Sequence, residues 1–425
     1  MRPTVLRRSL PAACLMLVAL ALGACGSSSS SSSSSSGSTS GSASSSSGKL
    51  SQPIAFTGFE GPVAQGGPDF MNGMRLAVAQ INAKGGIGGK PVKLNIVQTG
   101  GTPQGAASAY RSAGQDSSVM GSFMGAAGAL AIKALSNEVK LPAIAASGNN
   151  AVQLPVTKYM FSNSFGPEYA TSELQYAMSK LSAKSFAIIH YDTDFSSQIE
   201  QADKAKCAQA GCKITDVEAA SSTASTDQLT PQLTKMKASN PDAYYIEGLN
   251  PNAFKAARQL GLFSKPVLAE NWLATPALVA ACGTNCVGVV ASLHKCRLSN
   301  LNQLQPSDPL KAFCTTYVAA FKKQFPSLPF QLYSIYGYDA VNTYAAAINK
   351  LLAAGKAVTR DSVASEMEQF HGDLMTSHGK VTTSPTNHRL TGSWNEAYIN
   401  QTFAINGTNV TYKLAPKADP SGAHP

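Results

Sequence analysis

The chain has 425 residues, 44% of them hydrophobic and 14% charged, with a formal charge of +10. That length is too great for one ordinary core and predicts two domains. A basic balance can mark a nucleic-acid binder, but here the lysines are scattered, no Lys/Arg run occurs, and three of the positive charges are Arg2, Arg7 and Arg8. The surface therefore reads as solvated and mildly basic, with no nucleic-acid partner. In chain order, the first feature is that basic start, followed by an uncharged apolar run at residues 10–22. Spanning a bilayer takes about 20 apolar residues, so the run is short for a membrane span and fits the core of a secretory signal.

The signal closes on Leu22-Gly23-Ala24-Cys25, which resembles the bacterial lipobox. The expectation is that residues 1–24 are removed and that Cys25 carries lipid, which would be the protein's sole contact with a membrane. Residues 26–48 contain only Gly, Ser, Thr and Ala. Such a segment cannot bury a core, so residues 25–50 are predicted to be a disordered tether reaching about 25–30 Å. No later apolar stretch is long enough to span a membrane. Six cysteines follow the lipid site, namely Cys207, Cys212, Cys282, Cys286, Cys296 and Cys314. In an exported chain they read as structural disulfides. Short spacing favours Cys207 with Cys212 and Cys282 with Cys286, leaving Cys296 and Cys314 for each other. A metal or redox site would need Cys-x-x-Cys spacing or paired histidines, and neither occurs.

From residue 51 the pattern alternates strands and helices. A short strand at 54–56 precedes a helix in which Phe70, Met74, Ala77, Val78 and Ile81 recur at helical spacing and which stops at Gly85-Gly86. Val92, Leu94 and Ile96 alternate as in a strand. A helix from about Pro103, a buried strand near Val119, a helix over 126–139 and a strand over 143–146 follow. After a break near Asn163 the rhythm restarts: helix 168–181, strand 186–190, a helix through Cys207, helix 229–237, strand 243–246, helix 252–260 and strand 267–269. Two such runs predict an α/β fold with two doubly wound parallel-sheet lobes. Helices at 309–324, 334–354 and 360–370 then lead to strands near 394–399, 403–405 and 410–412, and residues 415–425 are predicted to be a disordered tail.

Catalytic motifs are missing. The run Gly85-Gly86-Ile87-Gly88-Gly89-Lys90 has glycines and a lysine, but Pro91 stands where a phosphate loop needs Ser or Thr. It reads as a helix-to-strand turn. There is no Gly-x-Ser-x-Gly elbow and no His-Glu-x-x-His helix. His371, His378 and His388 lack carboxylates at ligand spacing and are predicted to be surface-loop histidines. No cofactor, metal or catalytic residue is assigned.

The segments Gly61-Pro62-Val63-Ala64-Gln65-Gly66-Gly67, Asn72-Gly73-Met74-Arg75-Leu76-Ala77-Val78 and Ile81-Asn82-Ala83-Lys84-Gly85-Gly86-Ile87 resemble the opening of the leucine/isoleucine/valine-type binding-protein family. Leu141-Pro142-Ala143-Ile144, His190-Tyr191-Asp192-Thr193-Asp194-Phe195, Pro241-Asp242-Ala243-Tyr244-Tyr245 and Ala256-Ala257-Arg258-Gln259-Leu260-Gly261 continue the resemblance. It implies two lobes joined by three crossings near Asn163, His294 and Lys380, with residues 51–163 and 295–380 in lobe 1 and 164–294 and 381–414 in lobe 2. A small ligand would lie between them. The first lobe would offer Gly125 and Ala126 after the third strand, and Ser147 and Asn149 after the fourth. The second would close with Phe195, Asn250 and the Glu270-Asn271-Trp272 run, the amine's partner being Glu270 or Asn271. Relatives that bind amino acids carry a serine at Gly125, a threonine at Asn149 and an aromatic at Gly66, so the ligand's identity stays open. The implied function is extracytoplasmic capture of an amino acid or related small carboxylate or amide for the permease of an ABC importer. A binding module reporting to a membrane signalling partner would share every one of these features.

Overall fold

The computed structural model describes residues 48–424 apart from 63–65, 249 and 407–408. The signal, Cys25 and the tether up to residue 47 lie outside the described residues, as does Val63-Ala64-Gln65. No helix among the described residues is long and apolar enough to cross a membrane.

The first sheet contains β1 (Ala55–Glu60), β2 (Lys93–Gln98), β3 (Val119–Gly125), β4 (Ala143–Ala146) and β5 (Met160–Ser162), in the order β2-β1-β3-β4-β5. All its pairings are parallel. The second contains β6 (Ser185–Tyr191), β7 (Lys213–Ala220), β8 (Ala243–Ile246), β9 (Val267–Ala269) and β10 (Val290–His294). A hairpin of β11 (His371–Thr376) and β12 (Gly379–Thr382) stands apart, and β13 (Tyr398–Asn406) and β14 (Asn409–Leu414) complete the second sheet as β14-β13-β10-β9-β8-β6-β7. Its centre is parallel, while β13 pairs antiparallel with both β10 and β14. The α/β fold with two parallel-sheet lobes is the one predicted.

Local chemistry explains the joins. Helix Gly67–Ala83 ends in a turn where the N–H groups of Gly85 and Gly86 donate to Asn82 O and Ile81 O. Gly86 has φ 79°, and a Cβ there would lie 1.9 Å from Lys90 O, so only glycine fits. Asn82 then pins β2 by donating to Val92 O at 2.9 Å and accepting Val92 N–H at 2.8 Å. Helix Ser334–Ala353 returns to pack on Gly67–Ala83. Their contact is backbone-close, because Cβ atoms at Gly73 and Gly337 would lie 1.7 Å from Ser334 O and 2.0 Å from Phe70 O.

The chain leaves β5 at Asn163 and β10 at His294, and the residues just after His294 still hold the second sheet: Ser299 N–H donates to Tyr412 O at 3.0 Å and Arg297 donates to the Tyr412 hydroxyl at 2.7 Å. Residues beyond Lys380 still pair with the first sheet. Ser162 N–H donates to His388 O at 3.1 Å and Leu390 N–H to Ser162 O at 2.7 Å, so residues 388–390 extend the edge of the first sheet. Beyond Leu390 the chain runs to β13 of the second sheet. The segment read as a strand near 394–399 begins as a short helix, Trp394–Ala397, before β13. There Trp394 stacks on Tyr169 and Tyr398 with centroids 4.6 and 3.5 Å away. Residues 415–424, expected to be disordered, are folded back on the second lobe. Ala423 N–H donates to Tyr398 O at 2.9 Å, and Lys295 Nζ reaches Ser421 O at 3.0 Å. All three disulfides are present: Cys207–Cys212, Cys282–Cys286 and Cys296–Cys314, with Cα atoms 4.8, 5.8 and 4.8 Å apart.

Candidate functional site

A cavity of about 500 Å³ opens between the lobes at the C-terminal ends of the parallel strands, where open α/β sheets place their ligands. The first lobe contributes Phe59, Thr99, Phe70, Gly125, Ala126 and Ala127. The second contributes Thr193, Phe195, Glu247, Trp272, Thr275 and Leu278. Helix Ala129–Val139 starts three residues later than the pattern suggested, after Gly128 at φ 85°. The turn 126–128 is thereby left at the cavity with the helix N-terminus behind it, a favourable setting for an anionic group.

Of the candidates that the resemblance offered, Gly125, Ala126 and Phe195 line this cavity. The remaining candidates do not line the cavity, and each has hydrogen-bond partners within the protein. Ser147 is buried and its carbonyl accepts the Ser162 hydroxyl at 2.7 Å. Asn149 caps a short helix by accepting Ala151 N–H at 2.8 Å. Asn250 caps helix Pro251–Gln259 and donates to Ala224 O at 2.8 Å. Glu270 accepts Trp272 N–H at 2.8 Å and the Tyr169 hydroxyl. It is fully buried, and burial holds its carboxyl well above the usual range. Asn271 is buried, with its carbonyl accepting the Tyr333 hydroxyl at 3.3 Å.

Sequence reasoning missed Phe59, Phe70 and Glu247. Glu247 is the residue immediately after β8, and the rule that ligands meet strand C-termini would have found it. Its Oε2 accepts Tyr191 N–H and its Oε1 the Ser196 hydroxyl, each at 2.7 Å. Burial pushes its carboxyl up to about 7, against the lowering effect of those two bonds. The Phe70 ring occupies the space beside Gly125, where a Cβ would lie 3.0 Å from Cε2. Tyr333 fills the region beside Gly66, where a Cβ would be 3.5 Å from its ring.

The two lobes touch at the cavity's rim. Gln198 Nε2 donates to Asn149 Oδ1, and its Oε1 accepts Asn150 N–H, both at 3.0 Å. The Phe195 ring lies over Gly148, 3.0 Å from where a Cβ would be. Trp272 packs on Tyr333 with centroids 4.9 Å apart.

The histidines depart from expectation. His371 is exposed, but His378 and His388 are buried. His378 pairs with Asp339 at 3.0 Å, and His388 with Glu368 at 3.1 Å while stacking on Phe161. Both lie in the tertiary joins around the hinge. Among the described residues, the group whose atoms approach metal-binding geometry is His294, Cys296 and Cys314. Its two sulfurs are bonded to each other, so neither is a thiolate ligand.

The family described as periplasmic binding protein matches residues 55–404. A Leu/Ile/Val-binding protein of Rhizobium johnstonii is 24% identical over 331 residues, covering 77% of this chain and 85% of that protein. A leucine binding protein from Thermotoga maritima has the same fold, with a TM-score of 0.66 and 20% identity over 85% of this chain and 98% of its own. An ABC transporter substrate-binding protein from Sphaerobacter thermophilus matches with a TM-score of 0.71 and 17% identity, over 87% of this chain and 99% of its own. With a two-lobed fold, a cleft lined from both lobes and a family match over most of its length, this chain belongs to the periplasmic binding protein family, whose members bind ligands rather than catalyse reactions.

Proposed function

We propose that the protein captures a small organic molecule, an amino acid or a related small carboxylate or amide, and delivers it to the permease of an ABC importer. The observation that carries this is the cavity itself, whose walls are divided between two lobes that also meet at the Gln198–Asn149 rim contact. Such a site is completed only when the lobes come together, which couples ligand binding to a shape a permease can recognise. The named substrates of the Rhizobium and Thermotoga relatives and the transporter role of the Sphaerobacter one point the same way. The turn 126–128 would receive a carboxylate, and the aromatic walls an apolar body. Leu22-Gly23-Ala24-Cys25 and the serine-rich tether support lipid anchoring to the outer face of the cell membrane.

A thermal-shift screen of amino acids, amides, small carboxylates and aromatics tests the reading. A ligand at 100 times its dissociation constant stabilises by about 2.7 kcal/mol. A screen in which no compound shifts the transition defeats it. In the same cells, Cys25→Ser should move the protein out of the membrane fraction; retention there would refute anchoring.

A further inference from the structure

We infer that the protein carries a second binding site, away from the interlobe cavity, which takes a small organic anion with an apolar or aromatic body and holds its charge at Arg297.

The site is a cavity of about 730 Å³ beside the segment that follows β10. That segment supplies Arg297, Leu298 and Leu301, β14 supplies Val410 and Tyr412, and Phe330 forms a further wall. Thr315, Val318 and Lys322 come from helix Pro309–Gln324, where helical spacing puts them on one face. None of these residues lines the interlobe cavity. The volume falls within the range of small-molecule sites, about 300–1,000 Å³.

Charge sets the ligand class. Among the described residues lining this cavity there are two cations, Arg297 and Lys322, and no Asp or Glu. The interlobe cavity has no Lys, Arg or His among its described lining residues. An organic acid with no cation of its own therefore finds opposite charge here. Lys322 is exposed and forms no ion pair among the described residues. Arg297 bonds to neutral groups: Nη1 donates to Phe330 O at 3.2 Å and Nη2 to the Tyr412 hydroxyl at 2.7 Å. Its Nε is buried and has no acceptor. The Asp69 carboxyl of helix Gly67–Ala83 feels the Arg297 charge, but burial pushes it up to about 6 and it does not line the cavity.

A buried donor without an acceptor is costly, and a carboxylate or phosphate makes charge-assisted bonds to a planar guanidinium. The guanidinium is already fixed, lying over the Tyr412 ring at 4.2 Å from its centroid and held by its two bonds. Little ordering is left for binding to impose. Leu298, Leu301, Val318 and Phe330 offer apolar surface to the body of the ligand. A bare inorganic anion would leave that surface unused.

The probes are indoleacetate, tryptophol and tryptamine, which put an acid, an alcohol and an amine on one indole body, with inorganic phosphate as the bare anion. Calorimetry and saturation-transfer NMR at low and high salt would read their binding. We expect indoleacetate to bind at least about tenfold more tightly than the other three, and to weaken as salt rises. Lys322→Gln should weaken it about threefold. Arg297→Lys keeps the charge but loses the planar fork, and should weaken it about tenfold. Val318→Glu places a carboxylate on the cavity wall without touching the Arg297 bonds, and should abolish binding. Val318 is half-buried and Lys322 exposed, so these two variants decide the matter should Arg297→Lys not fold. Binding of tryptophol, tryptamine or phosphate as tight as that of indoleacetate overturns the inference, as does no detectable indoleacetate binding. Parent-like binding in Val318→Glu does the same, and its loss in Phe195→Ala alone would place the anion in the interlobe cavity instead.

Discussion

Asn149 is held at both ends of one oxygen, capping Ala151 and receiving Gln198 from across the cleft. That oxygen therefore links residues on the two sides of the cleft. Asn149→Ala should cost about 1 kcal/mol through the lost cap and also loosen the closed arrangement. Phe195 lies in the cavity and over Gly148, so Phe195→Ala removes both a wall and a rim contact. Stopped-flow fluorescence of Trp272, itself a wall residue, should show both variants releasing ligand faster with on-rates little changed, since affinity differences among variants of one site fall mostly in dissociation. Equal off-rates in parent and variants would remove both residues from the closing mechanism.

At the scale of elements, the three disulfides do different jobs. Cys207–Cys212 and Cys282–Cys286 close short loops at helix ends, with separations of 5 and 4 residues. Cys296–Cys314 spans 18 residues and ties the segment after β10 to helix Pro309–Gln324. Loop-closure entropy grows with the length enclosed, and a 15-residue loop is worth about 3 kcal/mol. Replacing Cys296 and Cys314 by serine together should therefore lower the urea-unfolding free energy by about that amount. The corresponding Cys207/Cys212 pair should cost less. A Cys296/Cys314 double variant as stable as the parent would show that packing alone secures the segment after β10.

Across the whole molecule, buried carboxyls set the pH response. Burial raises Glu173 to about 8, opposed by hydrogen bonds from Ser292 N–H and Ser172, and it raises Glu247 to about 7. These groups bind protons more tightly folded than unfolded. The stability they provide is complete below the ordinary carboxyl value and is lost as pH rises through 7 to 8, at up to about 1.4 kcal/mol per pH unit for each. His294 acts oppositely: burial, then repulsion from His378, lowers it to about 3, so stability falls as pH drops below the ordinary histidine value of 6.5. Urea midpoints should consequently decline from about pH 6.5 to about pH 8.5, and Glu173→Gln should flatten that decline. An unchanged slope in the variant would mean that other groups dominate.

The alternation of strands and helices, the lobe architecture and the short-range disulfides were determined by the sequence itself, because periodicity, glycine stops and loop lengths are local properties. So was the Asn82-x-x-Gly85-Gly86 turn, whose bonds run within a few residues to Ile81 and Asn82 and across the turn to Val92. Gly125, Ala126 and Phe195 were legible through the family resemblance, whose motifs lie in contiguous stretches of sequence. Tertiary structure decided the rest. Caps such as Asn250 and Glu270 look like free polar groups in sequence until the neighbouring N–H that occupies them is placed. His378 and His388 read as loop residues until Asp339 and Glu368, 39 and 20 positions away, fold against them. Glu247 becomes the cavity's carboxyl only when β6, the helix after it and the facing lobe enclose the end of β8. A side chain's burial and partners depend on residues far away in the chain, and no local pattern encodes them.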